Sequence, residues 1–262
     1  MGKTQSSSQE KRQERIIELV QRDGHVRVSE LSEILNVSEI TIRRDLILLE
    51  KSNLIERTFG GATATMKFNK EDDYYTRYKL ALEAKDSIAK LAAELIEEND
   101  TVFINGGSTT SHLFRYINRN KVRIVTTNAG CIGQITNPSI ELILAGGHYR
   151  LQSNSFFGGF TNNILDEINA NKAILGVDAL SCLYGMTAPS HQAAEITKMM
   201  INRTMGEIIV ITDHRKIGMV SDFVTAPINR INTIVSDDQM DPDFIMEMEK
   251  MGIRVLLTKV TT

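Results

Sequence analysis

From residue 101 onward the chain repeats one pattern: a short apolar run, then a helical stretch, then another apolar run. The runs fall at 101–105, 122–127, 141–145, 173–177, 207–212, 233–235 and 254–257, with helical patterns near 109–117, 191–205 and 242–251. An amphipathic helix over 83–98, with Ile88, Leu91, Ala92, Leu95 and Ile96 inward, leads into the series. Strands alternating with helices imply βαβ units and a mainly parallel sheet. Such sheets bind ligands beyond the carboxyl ends of their strands. At 262 residues the chain exceeds one ordinary domain, so a second unit is expected before this sheet.

The first part has a different pattern. Residues 1–8 are rich in Ser, Gln and Lys and read as a flexible arm. Helical patterns follow at 9–23, 30–35 and 39–51, the third capped by Ser38. A strand at 54–58 and a turn at Phe59-Gly60-Gly61 complete a winged helix-turn-helix pattern. In the third helix Ile42, Leu46 and Leu49 form the inward stripe, and Arg43 and Arg44 point the other way with Ile40 and Ile47. Outward arginines suit phosphate oxygens and guanine edges in a major groove. Ser38, Glu39 and Thr41 stand at the helix start, where backbone N–H groups favour a phosphate, and Arg57 extends the surface from the wing.

Charge sharpens this reading only through position. The net charge is −3, and acidic and basic residues balance across residues 1–60. Glu10, Glu14, Glu18, Glu30 and Glu33 lie on the first two helices, whereas Arg43, Arg44, Lys51 and Arg57 gather on the third helix and the wing. An Arg-Arg pair is usually a solvated helix face, so the motif must carry more of the argument. The stretch VRVSELSEILNVSEITIRRDLILLEKSNLIERTFGGA at 26–62 resembles the DeoR-type winged helix-turn-helix of bacterial transcription regulators. The V-S-x-x-T-I-R-R-D-L core and the closing G-G-A carry the resemblance together. Asn53 stands where that family usually has Gly, and Asn also tolerates a left-handed turn.

In the second unit the informative segment is Asn105-Gly106-Gly107-Ser108-Thr109-Thr110, between a buried strand and a helix. Glycines let backbone N–H groups approach a ligand, and hydroxyls with a helix start favour an anion. No G-K-[ST] follows, so this is not a Walker A loop, and G-x-G-x-x-G is absent too. Taken alone, such a loop is more often a plain strand-to-helix turn. The pieces INGGSTT, TTNAG, LAGGHYR, FFGG, GVDAL, LYGMTAPSHQAAEITKMM and TDHRKIG are similar to the DeoR-family sensor domain. That resemblance implies a fold like the ribose-5-phosphate type of sugar-phosphate isomerase, and a phosphorylated sugar or polyol as effector. It places phosphate at Gly107 to Thr110 with Lys216 neutralising it, and leaves Asn128, Asp178 and Glu195 for the sugar or polyol. Asn105 stands where the family often has Asp, and His214-Arg215 where it often has Ser-Ser.

The expected architecture is therefore α/β: arm 1–8, winged helix-turn-helix 9–64, linker 65–82, and an isomerase-like sensor domain 83–262. The expected effector site is Asn105, Gly106, Gly107, Ser108, Thr109, Thr110, Asn128, Asp178, Glu195 and Lys216. Operator DNA and a phosphorylated sugar or polyol are the expected partners, and a homo-oligomer the expected assembly, because paired readers double the DNA contacts. An isomerase-like enzyme with an appended reader is the alternative, but no spacing singles out an acid/base pair among Glu195, Asp178 and Lys216. The five histidines show no metal spacing, so no metal and no cofactor are expected. The two cysteines form no C-x-x-C pair, and no apolar run reaches about 18 residues, so a cytoplasmic protein is expected.

Overall fold

The computed structural model describes residues 8–23, 25–51, 54–58, 60–64 and 73–259. The arm at 1–7, Gly24, Asn53, Phe59 and linker positions 65–72 lie outside the described residues. The chain divides into two compact units, one through residue 67 and one from residue 68.

The first unit runs α1 (Ser8–Asp23), β1 (His25–Arg27), α2 (Val28–Leu35), α3 (Glu39–Lys51), β2 (Ile55–Thr58) and β3 (Gly61–Ala64). Its sheet has the order β1-β3-β2, antiparallel throughout. Periodicity does not reveal β1, because three residues are too short to alternate. Gly61 is required where β3 passes β1: a Cβ there would lie 2.2 Å from the Val26 carbonyl oxygen. Asn36 ends α2 in left-handed geometry with φ 49°, a conformation Asn accepts, and turns the chain into α3. Ile16, Leu19, Leu31, Ile42, Leu46, Leu49 and Ile55 close one core.

The second unit begins earlier than expected. Part of the stretch assigned to linker, 65–82, is helix α4 (Tyr74–Lys79), with Tyr74 buried. Then come α5 (Leu82–Ala93), β4 (Thr101–Ile104), α6 (Ser108–Leu113), β5 (Arg123–Thr126), β6 (Glu141–Leu144), β7 (His148–Arg150), β8 (Ser155–Phe157) and α7 (Gly159–Asp166). The chain continues through β9 (Ala170–Gly176), β10 (Ala179–Ser181), β11 (Gly185–Ala188), α8 (His191–Asn202), β12 (Thr204–Ile211), β13 (Phe223–Ala226), β14 (Thr233–Asp237), α9 (Pro242–Lys250) and β15 (Arg254–Thr258).

Seven strands form one parallel sheet in the order β15-β14-β12-β9-β4-β5-β6. Alternate side chains feed two cores, as the pleat requires. Phe103, Leu175, Val210 and Ile234 pack under α7, α8 and α9, with Leu165, Met200 and Met248. Val102, Ile104, Ile174 and Ile209 pack under α5 and α6, with Ile88, Ala92 and Leu113. From β4 the chain steps outward to β5 and β6, then returns to the other side of β4 as β9. The order therefore reverses between β4 and β9, and that reversal opens a crevice at the strands' carboxyl ends. A small antiparallel sheet, β10-β11-β13, was not legible in the sequence. Among the described residues no helix is long and apolar enough to cross a membrane.

Candidate functional sites

In the first unit α3 has the expected polarity. Ile42, Leu46 and Leu49 are buried, Arg43 and Arg44 are exposed, and Ile40 stands out with 66% of its surface free. Ser38 caps the helix: its Oγ accepts from the Thr41 N–H at 3.3 Å and lies 2.9 Å from Thr41 Oγ1. Arg43 pairs with Glu39 one turn back at 3.3 Å, and Arg57 of β2 lies 3.5 Å from Glu50. Both pairs are exposed and weak, so another anion can take over these guanidiniums at little cost. Sequence reasoning missed Asp45, the acid that follows the two arginines. It is buried, and its carboxylate accepts from Arg12 Nε at 2.5 Å and Gln13 Nε2 at 3.2 Å, both on α1. This clamp fixes the rotation of α3 and so fixes Arg43 and Arg44 outward.

In the second unit a cavity of about 170 Å³ opens at the crevice. Asn105, Gly106, Gly107, Ser108 and Thr109 from the loop after β4 line it, with Asp178 after β9 and Lys216 after β12. Asn105 joins the two central strands: its Nδ2 donates to the Gly176 carbonyl at 3.0 Å and its Oδ1 accepts from the Gly176 N–H at 2.9 Å. An Asp could not make the first bond, which gives the amide at this position a physical reason. Gly106 faces Ser155, whose Oγ a Cβ would meet at 2.1 Å, so the loop passes β8 only as glycine.

Three expected residues do not line the cavity. Thr110 is fully buried, its hydroxyl donating to the Asn105 or Gly107 carbonyl at 2.9 and 3.1 Å. Asn128 is also fully buried. Its Nδ2 donates to the Gly107 carbonyl and its Oδ1 accepts from the Gly130 N–H, at 3.1 and 2.9 Å. Both residues support the loop from behind, and the neighbouring Thr127 reaches the cavity instead. Glu195 is exposed on α8 and accepts from Asn162 at 3.1 Å.

The missed residues include three cations. Arg77 of α4, Lys85 of α5 and Arg215 line the cavity with Lys216. Arg77 pairs with Asp178 at 3.0 Å, and Arg215 holds Asp213 with two bonds of 2.8 and 3.1 Å. Lys85 and Lys216 form no ion pair among the described residues. Lys85 is only 3% exposed and donates to the Arg77 carbonyl. Burial lowers its pKa to about 8; Asp213 opposes the shift, while Arg215, Lys216 and Arg77 reinforce it. Burial pushes the Asp213 carboxyl upward, but the Arg215 hydrogen bond and charge, with Lys216 and Lys85, hold it below the ordinary range. Buried Asp237 anchors the turn that carries Arg215 and Lys216, accepting from the His214 backbone N–H at 2.9 Å and lying 2.8 Å from its ring Nδ1. The signal for Lys85 was present: it sits in the inward stripe with Ile88 and Ala92, where a lysine is out of place. Arg77 carried no such signal. Among the described residues no three His, Cys, Asp or Glu side chains gather as a metal site.

These features coincide with known sequence families. The profile of the DeoR-like helix-turn-helix domain matches residues 12–68, and that of the DeoR C terminal sensor domain matches residues 80–238. The chain belongs to the DeoR family. DeoR-family relatives cover it almost end to end. A putative aga operon transcriptional repressor from Escherichia coli O157:H7 is 30% identical over 98% of this chain and 96% of its own. A lactose phosphotransferase system repressor from Streptococcus mutans is 32% identical over 92% and 96%. The HTH-type transcriptional regulator GlpR of Haloferax volcanii is 30% identical over 94% and 96%. These relatives are transcription regulators by name, and the chain is a DNA-binding regulator rather than an enzyme. Among solved structures, a D-ribose-5-phosphate isomerase in complex with phospho-erythronic acid matches 51% of this chain and 52% of its own, with a TM-score of 0.37 and 19% identity.

Proposed function

We propose that this regulator is a cytoplasmic, homo-oligomeric repressor of a carbohydrate transport or catabolism operon, released from its operator by a phosphorylated sugar or polyol. The relatives named for the aga operon and for a lactose phosphotransferase system support the carbohydrate reading. The observation that carries the effector reading is the charge of the cavity. Four cations, Arg77, Lys85, Arg215 and Lys216, and two carboxylates, Asp178 and Asp213, line it together with the Gly106 to Thr109 loop. Four minus two leaves two positive charges, which matches a phosphate monoester carrying about −1.5 to −2 at pH 7. Asp178 and the lining hydroxyls of Ser153, Ser155 and Thr187 are then available to a polyol.

The test is calorimetry of the full chain with a panel of hexose and pentose phosphates, glycerol 3-phosphate, and the matching unphosphorylated sugars. At least one phosphorylated compound should bind, its unphosphorylated counterpart should not, and Lys216→Ala should weaken the binding. Equal binding of the unphosphorylated sugar would overturn the assignment.

A further inference from the structure

Helix α4 belongs to the cavity, and in sequence it is the first described element after β3, the last strand of the DNA-reading unit. One side of it is fastened to α6. The Tyr74 hydroxyl donates to Ser111 Oγ at 2.8 Å, and the Tyr78 ring stacks on His112 at 4.6 Å with 20° between planes. Ser111 in turn lies 2.9 Å from the Gly107 carbonyl, so α4 and the glycine loop share an anchor. Its other side meets the cavity, where Arg77 pairs with Asp178 and Leu80 follows as a lining residue. The charges come from three separate pieces: Arg77 from α4, Lys85 from α5, and Arg215 with Lys216 from the turn after β12. Like charges brought into one cavity repel, and this repulsion contributes to the lowered pKa of Lys85. Helix α4 is therefore held by its tyrosines, by the Arg77–Asp178 pair and by the Lys85 bond to the Arg77 carbonyl, while the excess positive charge of the cavity opposes it. An anion among the four cations removes that opposition and tightens the contact.

We propose that α4 is a strap that carries the effector signal: Tyr74 and Tyr78 are positioning residues that place Arg77 at the cavity, and the bound anion clamps the strap. This rests on the sugar-phosphate reading above. The two aromatic anchors touch α6 and not the cavity, so they set where Arg77 stands without contacting the ligand. Through chain continuity, the docking state of α4 becomes the quantity that the DNA-reading unit receives.

The experiment uses the full chain, with whichever sugar phosphate of the panel binds by calorimetry, and an operator selected from a random duplex pool. Backbone hydrogen exchange across 74–82 is expected to slow by about fivefold or more when the sugar phosphate is added, and not with potassium chloride at equal ionic strength. Tyr78→Ala is expected to weaken sugar-phosphate binding by about tenfold or less, because Arg77 loses its placement, and at saturating sugar phosphate the effector's influence on operator affinity, about tenfold in the parent, is expected to shrink to under about threefold. Tyr78→Phe keeps the stack and is expected to restore the full influence, which separates positioning from general damage to the fold. Unchanged exchange in 74–82 with bound ligand, or full effector response in Tyr78→Ala, overturns the strap while leaving the sugar-phosphate reading intact. Failure of every sugar phosphate to bind overturns both.

Discussion

Lys85 gives the cavity a pH dependence that can be worked out in sign. Its pKa is lowered to about 8 from the ordinary 10.5, burial being the main cause. An anion beside it favours the ammonium, so ligand binding above pH 8 must draw in a proton. A sugar phosphate is fully charged only above its second pKa of about 6. Affinity should therefore rise from pH 5 to about 7, hold to about 8, then fall by up to about tenfold per pH unit. Calorimetry at pH 7 and 9 in buffers of different ionisation heat should show proton uptake at 9 and little at 7. The high-pH fall should vanish in Lys85→Met. For stability the sign is opposite. Between about 8 and 10.5 the unfolded chain holds the proton that the folded chain has lost, so this group makes folding more favourable as pH rises through that window. Asp45 is the comparable residue of the reader. Arg12→Met would leave its carboxylate buried with only glutamine donors, and should cost on the order of 3 kcal/mol in urea denaturation of the reader. Adding Asp45→Leu should recover much of the loss, and no recovery would mean that Arg12 acts through packing alone.

At the scale of elements, α3 and the glycine loop carry the two tests of binding. Replacing Arg43 and Arg44 together by Ala should leave the helix content of the chain unchanged and weaken operator binding by about 1–3 kcal/mol for each of the two that holds a base edge with both guanidinium nitrogens. An arginine on a phosphate would instead reduce the salt slope by about one when replaced, so mobility shifts at several salt concentrations tell the two roles apart. Gly106→Ala should displace the loop from Ser155 and weaken sugar-phosphate binding, with operator binding in the absence of effector retained. The same two elements show what a sequence can reveal. The stripe Ile42, Leu46 and Leu49 is local, and burial of one helix face fixed where the arginines point. The glycine loop was legible as a loop, because a strand end and a helix start are also local. Which side chains of its surroundings face the cavity was not. Thr110 and Asn128 sit where a ligand group would be expected, yet their polar atoms are consumed in supporting the loop. Tyr74 and Arg77 lie in a polar, tyrosine-rich stretch whose burial depends on residues far along the chain, such as Ser111 and Asp178. Strands of three residues, β1, β7, β8 and β10, are too short to show a period. Their pairing is set by partners that no short window of sequence contains.

As an effector-released repressor, the reading proposed above, the whole molecule would have to turn occupancy of a cavity in one unit into a change of grip by the other. One α3 covers few base pairs, so a symmetric pair of readers on half-sites one helical turn apart, about 10 base pairs, is the arrangement that gives useful specificity. Sedimentation of the full chain should accordingly show a dimer or a larger even assembly, with a footprint repeated at that spacing. Coupling in such an assembly is a free energy between two sites and acts equally in both directions. If a sugar phosphate lowers operator affinity by a given factor, operator DNA must lower sugar-phosphate affinity by the same factor, and a coupling of about 1–3 kcal/mol makes that about 5–150-fold. The arrangement also sets which mutations can separate binding from response. Changes at Lys216 should weaken the ligand and leave the factor intact once saturation is reached. Changes that free α4 should weaken the ligand only in part and shrink the factor even at saturation. The measurement is a pair of titrations: effector into free protein and into the protein–operator complex, set beside operator binding at zero and saturating effector. Equal factors from both pairs, with weaker DNA binding in the liganded state, are the expected result. A saturating effector that leaves operator affinity unchanged would mean that the two units do not communicate, and the proposal of an effector-released repressor would fall.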